Sequence, residues 1–265
     1  MQAPMDITQK KIVIFDLDGT LTETKSPMDG EMTGLFRQLL EKKRVAVISG
    51  GGFGQFKKQL LAALQCSPES CANLFLFPTS ATRFYKYQGD DLVEVYADLM
   101  TVEERRKIKE AFERAFEDIG YQHPEKVYGE IVEDRGTQVT FSALGQDIAD
   151  VLGEEGVRQK KEFRVKHEQK LKELTAAVAS RLPEFEVRLA GHTSIDVTRK
   201  GIDKAYGIHQ IEKLLGISRA QMLFVGDALY EGGNDYATKR TGVECIAVTG
   251  PEETKQLIRS WLNVL

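Results

Sequence analysis

The sequence predicts an α/β protein with a parallel-sheet core and an inserted α+β domain. Apolar runs of strand length alternate with helical stripes at both ends of the chain, and this order favours a parallel sheet. Between those ends, a hairpin pattern, further strands and two long helices indicate a separate small unit. Two carboxylates follow the first apolar run, so chemistry is expected where the first core strand ends.

The first part of the chain supplies three predicted core strands. Residues 12–15 are β-branched or aromatic without polar alternation, as in a strand that is buried on both faces. Residues 45–48 and 74–77 repeat this pattern, and a helix over about 53–64 is predicted between them. An earlier helix is predicted from an apolar stripe, namely Met32, Leu35, Phe36, Leu39 and Leu40.

The inserted domain is predicted over residues 84–188. It contains a helix over 101–119 whose apolar residues share one face, whereas residues 145–161 are polar and predict no clear element. The other elements are a helix over about 165–182, a hairpin of 82–87 and 92–96, and strands at 127–132, 138–141 and 185–189. We therefore assign residues 1–83 and 189–265 to the core.

The last part of the chain returns to the alternating core pattern. Its predicted strands cover 194–197, 222–225 and 243–248, and its predicted helices end near Leu215 and Leu262. Because short connections join these strand and helix patterns, right-handed crossovers within one shared sheet are expected.

Composition and charge limit the classes of partner. The chain has 265 residues, of which 42% are hydrophobic, and its formal net charge is −4. Because no basic excess is present to neutralise phosphates, nucleic-acid binding is not expected. Small molecules are therefore the expected partners, and a monomer or homodimer is the expected state.

Membrane association and disulfides are not expected. No apolar run approaches the length of a membrane span, and the first ten residues lack the apolar centre of a signal peptide. Cys66, Cys71 and Cys245 are scattered and lack a metal-ligand spacing. They are expected to be reduced thiols in a cytoplasmic protein.

Polar residues stand at the ends of separated core elements. They are, in chain order, Asp16 with Asp18, Ser49, Lys204, and Asp227 with Asn234 and Asp235. In a doubly wound sheet the carboxyl ends of the strands meet at one crevice, so these side chains are expected to converge. Each alone also has a structural explanation, since Asp, Ser and Lys serve as turn residues, helix caps or solvated surface groups.

This set, in this order, resembles the four motifs of the haloacid dehalogenase superfamily of phosphoryl-transfer enzymes. Residues 16–22, Asp-Leu-Asp-Gly-Thr-Leu-Thr, are similar to the first motif, Ser49 to the second, Lys204 to the third and residues 226–235 to the fourth. One such motif is a weak signal, whereas four in order at strand ends are specific. The resemblance covers the whole chain and implies a Rossmann-like core with an inserted cap domain.

The resemblance implies a role for each core residue. Asp16 is the expected nucleophile, which forms an aspartyl-phosphate, and Asp18 is the expected general acid and base. Ser49 and Lys204 are expected to hold the phosphoryl oxygens, with the adjoining Gly50 also contacting the substrate.

A magnesium ion is the expected cofactor. A phosphate ester and a carboxylate nucleophile repel each other, so a divalent cation must neutralise charge before attack. Mg²⁺ takes oxygen ligands, and the resemblance makes the Asp16 side chain, the Asp18 backbone carbonyl and Asp227 its protein ligands. Asn234 and Asp235 are expected to hold the cation site or the catalytic lysine in place.

The inserted domain lies between the second and third motifs, which is the position of the cap in the IIB branch of the superfamily. Within that branch the chain is similar to phosphomannomutases of the eukaryotic type. Three stretches carry this similarity: 135–145, 191–197 and 226–235. The resemblance makes Arg135, Ser194 and Asp196 expected substrate-binding residues, on a cap that closes over the substrate.

Two expected substrate-binding positions depart from those mutases, which carry arginines where this chain has Lys25 and Gln146. A mutase must hold a bisphosphorylated intermediate by its remote phosphate, and bidentate arginine suits that better than lysine or an amide. The leading function is therefore Mg²⁺-dependent hydrolysis of a small phosphomonoester, expected to be a sugar phosphate, and a phosphomannomutase or phosphohexomutase is the alternative. A non-catalytic sugar-phosphate-binding protein is disfavoured because every reactive position is filled.

Overall fold

The computed structural model describes residues 6–265; residues 1–5, with which the predicted core begins, lie outside the described residues. The chain divides into two compact units. The first comprises the chain up to Ala97 together with Asp203–Leu265, and the second is Asp98–Ile202. Each unit has its own sheet and its own hydrophobic core.

Strands of the described residues form two sheets. They are β1 (Ile12–Asp16), β2 (Arg44–Ile48), β3 (Leu74–Phe77), β4 (Arg83–Gln88), β5 (Asp91–Ala97), β6 (Val132–Asp134), β7 (Val139–Ser142), β8 (Phe185–Ala190), β9 (Ser194–Arg199), β10 (Met222–Gly226) and β11 (Glu244–Ala247). The first unit has the order β11-β10-β1-β2-β3-β4-β5, and the second unit has the order β6-β7-β9-β8.

β1 lies inside the first unit's sheet, where it pairs in parallel with β10 and with β2. Its side chains alternate between the two faces, with Val13 and Phe15 in one apolar cluster and Ile12 and Ile14 in another. A strand covered on both faces can therefore be apolar at every position. The predicted parallel-sheet core is confirmed.

The helices of the first unit cover both faces of its sheet. They are Gly30–Lys42, Phe53–Phe56 with a π-helical continuation over Lys57–Leu61, Pro68–Cys71, the single turn Pro78–Ala81, Lys204–Leu215 and Pro251–Leu262, together with short 3₁₀ turns. The predicted stripe of the first helix is buried at all five positions. No helix of residues 6–265 is long and apolar enough to cross a membrane.

The second unit is an antiparallel sheet packed against two long helices. The helices are Val102–Asp118 and Glu154–Arg181, with a short helix over Ile148–Leu152 before the second. The first helix begins with a capping box, in which Thr101 and Glu104 each satisfy a backbone N–H of the other. Phe112 of this helix and Phe141 of β7 belong to one buried cluster, so the predicted α+β unit is confirmed.

The division between the units differs from the predicted boundaries at 83/84 and 188/189. The hairpin β4–β5 belongs to the first unit because β4 pairs antiparallel with β3 and extends the core sheet. β9, which the sequence assigned to the core, pairs with β7 and β8 of the second unit. Strand patterns mark which segments are extended, whereas the choice of partner depends on residues far away in the chain.

Two local predictions in the second unit also need correction. Residues 145–161 predict no element, yet they contain the short helix and the first turns of Glu154–Arg181. Residues 127–131 are not a strand; the strand starts at Val132. Polar and charged faces carry little periodic signal, so tertiary packing decided both segments.

The expectation of three reduced thiols is wrong. Cys66 and Cys71 form a disulfide, with their Cα atoms 5.7 Å apart, and Cys245 is free. The two bonded cysteines are five residues apart, and the turn made by Pro68–Cys71 brings them together. Spacing alone could not reveal this pair, because bond formation depends on the local backbone path.

Candidate active site

Three neighbouring strands deliver polar residues to one edge of the first unit's sheet. Asp16 is the last residue of β1, Ser49 follows β2, and Asp227 follows β10. The strands are in parallel register, with Asp16 opposite Ile48 and the preceding residue opposite Val225. The predicted convergence at the carboxyl edge follows from this strand order.

Lys204 enters the same region as the first residue of the helix Lys204–Leu215. Asp203 caps that helix by accepting a hydrogen bond from the Tyr206 N–H at 3.0 Å. Lys204 is only 2% exposed, and its Nζ donates to carboxylate oxygens of both Asp16 and Asp235. One buried cation thus lies between two buried carboxylates.

The burial of these charges shifts their titration. Burial raises the pKa of Asp16 well above its usual value; Lys204 opposes this shift and the Asp235 charge adds to it. Burial also raises the pKa of Asp227, and Asp235 again adds to the effect. For Lys204, burial disfavours the charged form, but the charges of Asp16 and Asp235 outweigh it and raise the pKa. The site therefore holds more acidic groups than its one lysine can neutralise.

Backbone geometry brings Asp227 and Asp235 close to the loop that follows β1. Gly19 has a φ of +84°, and a Cβ there would lie 2.5 Å from Asp227 Oδ2, so a larger residue would displace that carboxylate. The Asp227 N–H donates to Thr20 Oγ1 at 3.1 Å. The Ala228 N–H donates to Asp235 Oδ2 at 3.0 Å, which fixes the second carboxylate.

The carboxylates form a cluster that fits a hard divalent cation. Within residues 6–265, Asp16, Asp227 and Asp235 each offer an oxygen, and these oxygens lie within 4.8 Å of one another. Oxygen ligands with excess negative charge are the donor set that Mg²⁺ prefers. The sequence named Asp235 only as a supporting residue, although its carboxylate lies inside the cluster. Asn234, predicted for the same supporting role, is exposed.

Asp18 is held by neutral amides. The Lys25 N–H donates to Asp18 Oδ1 at 2.7 Å, and Gln59 Nε2 donates to the same oxygen at 3.1 Å. Gln55 Nε2 donates to the other oxygen, Oδ2, and the Lys25 ammonium donates to Gln55 Oε1. Burial would raise the pKa of Asp18, but the Lys25 charge and these hydrogen bonds hold it below its usual value.

Sequence reasoning missed both glutamines. Gln55 and Gln59 are four residues apart, directly after the glycine-rich stretch that follows Ser49, so a helix there places both on one face. That spacing was a usable signal. No sequence signal identified the partner that the two glutamines share, because Asp18 is distant from them in the chain.

The loop after β2 is held by a left-handed turn. Ser49 is buried, and its Oγ accepts the Gly51 N–H at 3.1 Å. The backbone carbonyls of Ser49 and Gly51 accept the N–H groups of Ser80 and Thr79, each at 2.9 Å. Thr79, Ser80 and Ala81 all have positive φ, which is costly for residues with a Cβ. Gly50, the predicted substrate contact, lies within this loop.

The four predicted substrate-binding residues of the second unit lie on or beside its sheet. Arg135 Nε donates to Glu133 Oε2 at 2.6 Å, and its Nη2 donates to Gln146 Oε1 at 3.2 Å. The amide of Gln146 also donates to a carbonyl of β7. Asp196 Oδ1 accepts a hydrogen bond from a β7 threonine at 2.8 Å, and Ser194 lies at the start of β9. Arg135 and Gln146 are thus in direct contact.

Comparisons by sequence give relatives over most of the chain. A family model described as haloacid dehalogenase-like hydrolase matches residues 13–237. A phosphomannomutase of Encephalitozoon cuniculi is 28% identical over 252 residues, which cover 93% of this chain and 91% of that protein. Phosphomannomutase 1 of Dictyostelium discoideum is 24% identical over 258 residues, which cover 96% and 97% of the two chains.

Comparisons by structure give phosphatases. An N-terminally truncated, IMP-bound IMP-nucleotidase of Plasmodium falciparum aligns with a TM-score of 0.67 and 17% identity, over 97% of this chain and 68% of that chain. A trehalose-6-phosphate phosphatase of Aspergillus fumigatus aligns with a TM-score of 0.54 and 18% identity, over 97% and 96%. At such low identity these alignments show a shared fold. The family match extends across most of the chain, and the protein is therefore an enzyme of the haloacid dehalogenase-like hydrolase family, phosphomannomutase-like in sequence.

Proposed function

We propose that the protein is a Mg²⁺-dependent phosphohydrolase that acts on a sugar phosphate through an aspartyl-phosphate on Asp16. The observation that carries this proposal is the buried ammonium of Lys204 between Asp16 and Asp235, beside a third carboxylate, Asp227. A purely structural site would not gather this much uncompensated buried charge. Asp16, Asp227, Asp235 and the Asp18 carbonyl would hold Mg²⁺, which supplies charge neutralisation when bound.

Asp16 performs the first transfer. The contacts of Asp18 favour its ionised form, so in this proposal Asp18 takes up a proton as the substrate binds. A carboxylate oxygen of Asp16 then bonds to phosphorus, the ester P–O bond breaks, and Asp18 gives its proton to the leaving oxygen. In the second transfer Asp18 takes a proton from water, the water oxygen bonds to phosphorus, and the bond to Asp16 breaks. Inorganic phosphate and the proton leave, and both carboxyl groups return to their starting states.

Lys204 and Ser49 stabilise the phosphoryl oxygens in this proposal. Lys204 stays protonated because two carboxylates surround it, so its positive charge is present before the substrate arrives. The Gly51 hydrogen bond fixes the Ser49 hydroxyl oxygen, which leaves the hydroxyl hydrogen to be donated to a phosphoryl oxygen.

The hydrogen-bond partners of Lys25 and Gln146 favour hydrolysis over phosphate transfer between sugar positions. The Lys25 ammonium binds Gln55, and the Gln146 amide binds Arg135 and a β7 carbonyl. A remote phosphate would need charged partners, each worth roughly 1.5 to 3 kcal/mol. With fewer such partners the bisphosphorylated intermediate escapes sooner, and water then completes the reaction.

A mutase is the second candidate, because the full-length relatives named above are phosphomannomutases. Both functions share the aspartyl-phosphate and differ in whether the sugar is retained after the first transfer. The cap residues Arg135, Ser194 and Asp196 remain proposed sugar contacts in either case.

One incubation separates the two candidates. The protein is mixed with mannose 1-phosphate, Mg²⁺ and a trace of hexose 1,6-bisphosphate, and free phosphate and hexose 6-phosphate are followed together. Free phosphate is expected to lead. Hexose 6-phosphate that accumulates well ahead of free phosphate would establish the mutase instead. Asp16→Asn and chelation by EDTA are both expected to abolish either product, and activity that survives them would exclude the shared mechanism.

A further inference from the structure

We infer that Gln55 is a positioning residue for the general acid and base Asp18, and that Lys25 acts through Gln55 rather than on the substrate. The inference rests on the proposed function, because it assumes that Asp18 moves a proton. Gln55 thereby has a role that no sequence motif predicts, and the predicted role of Lys25 changes from substrate binding to support of Asp18.

The hydrogen bonds run in one direction from Lys25 to Asp18. An ammonium group can only donate, and an ionised carboxylate can only accept. The Gln55 amide joins them, since its Oε1 accepts from Lys25 Nζ and its Nε2 donates to Asp18 Oδ2. A cation on the amide oxygen polarises the amide and strengthens the N–H donor on its other side. The Lys25 ammonium is thereby linked to Asp18 by hydrogen bonds through a neutral side chain, in addition to the direct contact of the Lys25 backbone N–H with Asp18.

Gln55 differs from Gln59 in what else it holds. Gln59 is 2% exposed, and besides Asp18 it donates to the Ser26 carbonyl at 3.1 Å, so it also fastens the first loop. The Gln55 side chain is half-buried, and its hydrogen bonds go to Asp18 and Lys25. Removal of the Gln55 amide should therefore disturb Asp18 with little effect on the fold.

The backbone leaves room for this side chain. A Cβ on Gly51 would overlap the Gln55 amide, so glycine at that position lets Gln55 cross the loop after β2. The π-helical segment Lys57–Leu61 follows directly, and π-helical turns recur at functional sites. Gln55 thus reaches Asp18 because of a local backbone shape as well as its own length.

Orientation matters for Asp18 because its carboxyl oxygen must meet a leaving oxygen. Proton transfer by a positioned group contributes roughly 10²- to 10⁴-fold to rate. Part of this rate enhancement is lost when the carboxyl group is free to rotate, and we expect the loss to be about tenfold. Asp16 attack itself does not need the proton if the leaving group departs readily as an anion.

The test compares two esters that differ in leaving-group basicity and carry no sugar. Single-turnover release of the phenol is measured for phenyl phosphate and for p-nitrophenyl phosphate, with enzyme in excess and Mg²⁺ present. Gln55→Leu is expected to slow phenyl phosphate by about tenfold or more and p-nitrophenyl phosphate by no more than about twofold. Lys25→Met is expected to show the same selectivity, and the double variant should be no slower than Gln55→Leu alone.

One control variant and three outcomes separate this inference from its alternatives. Gln38→Leu removes an exposed amide that bonds its own helix, and it should leave both rates unchanged. Equal losses on the two esters, or no loss on either, would overturn the positioning role of Gln55. If Lys25→Met slows the two esters equally or slows neither, or if its effect adds to that of Gln55→Leu, then Lys25 does not act through Gln55. If Asp16→Asn releases either phenol at the rate of the unmodified protein, the proposed function is wrong. This outcome is distinct from the outcomes that would contradict the role of Gln55.

Discussion

The two lysines of the site region neutralise carboxylates in different ways. Lys204 is fully buried and contacts two carboxylates directly, on the side of the site built from β1, β10 and the helix that it begins. Lys25 is half-buried in a loop, and its ammonium group is linked to Asp18 by hydrogen bonds through the Gln55 amide. The first arrangement fixes charge on a strand and a helix, whereas the second holds the Asp18 carboxyl with uncharged N–H donors.

This difference matches what each side must do. In the proposed mechanism Asp16 keeps one position while a bond forms to it, so close charges on sheet and helix suit it. The proposed role of Asp18 requires it to change between protonated and ionised states, and amides tolerate both states better than a direct ammonium contact would.

Loss of Lys204 should be far more damaging than loss of Lys25. Lys204→Met leaves buried carboxylates without their cation, so we expect the free energy of unfolding to fall by about 3 to 5 kcal/mol without divalent ions. Turnover should fall by roughly 10²- to 10³-fold, the usual range for one lost electrostatic contact to the reacting group. Lys25→Met should lower the free energy of unfolding by about 1 kcal/mol or less. Urea unfolding in EDTA and steady-state assays in Mg²⁺ measure both, and equal destabilisation by the two variants would break the contrast.

Arg135 resembles Lys25 in that its charged group donates to a glutamine amide oxygen. Arg135 also pairs with one carboxylate, that of Glu133. Arg135→Ala should lower kcat/KM for a sugar phosphate by about tenfold or more, because a remote polar group of the substrate loses its partner. Turnover of p-nitrophenyl phosphate, which has no such group, should change little. Arg105→Ala, which breaks a partly exposed pair with Asp134 in the same unit, is the matched control. Equal losses on both substrates would make Arg135 a structural residue.

The disulfide should stabilise the segment that follows Gln55 and Gln59 without taking part in chemistry. Removal of a bond that closes so short a loop is expected to lower the free energy of unfolding by about 2 kcal/mol. The Cys66→Ser, Cys71→Ser double variant should show this loss in urea unfolding while the folded enzyme keeps its turnover. A reducing agent should shift the unmodified protein to the same stability and leave the double variant unaffected. A large drop in turnover would tie the disulfide to the Asp18 side of the site.

Relief of the left-handed turn should give a small gain. Ser80 has a φ of 56° and is half-buried, so Ser80→Gly removes the clash of its Cβ with the backbone. The gain is expected to be up to about 1 kcal/mol, since the entropy cost of glycine offsets part of it. Ser26→Gly, at a position without positive φ, should be destabilising under the same urea assay. A loss for Ser80→Gly would mean that its hydroxyl is needed to hold the loop after β2.

The predicted strand-end residues were found because their signal is local. Asp16, Ser49 and Asp227 each follow an apolar run, and the parallel order of those runs is enough to bring them to one edge. Gln55 and Gln59 could not be found this way, because their partner Asp18 lies about a helix and a strand earlier in the chain. The roles of all these residues remain predictions until the variants above are measured.

The parallel core, the α+β unit and the order of the four motifs could be predicted from the sequence, because burial patterns and strand ends are encoded in adjacent residues. Tertiary structure alone decided where the units divide, since β4 and β9 chose partners that no local pattern specifies. It also decided that Asp235 joins the carboxylate cluster and that Lys25 turns toward Gln55. Those outcomes depend on distances between side chains that are far apart in the chain, and such distances exist only once the backbone has folded.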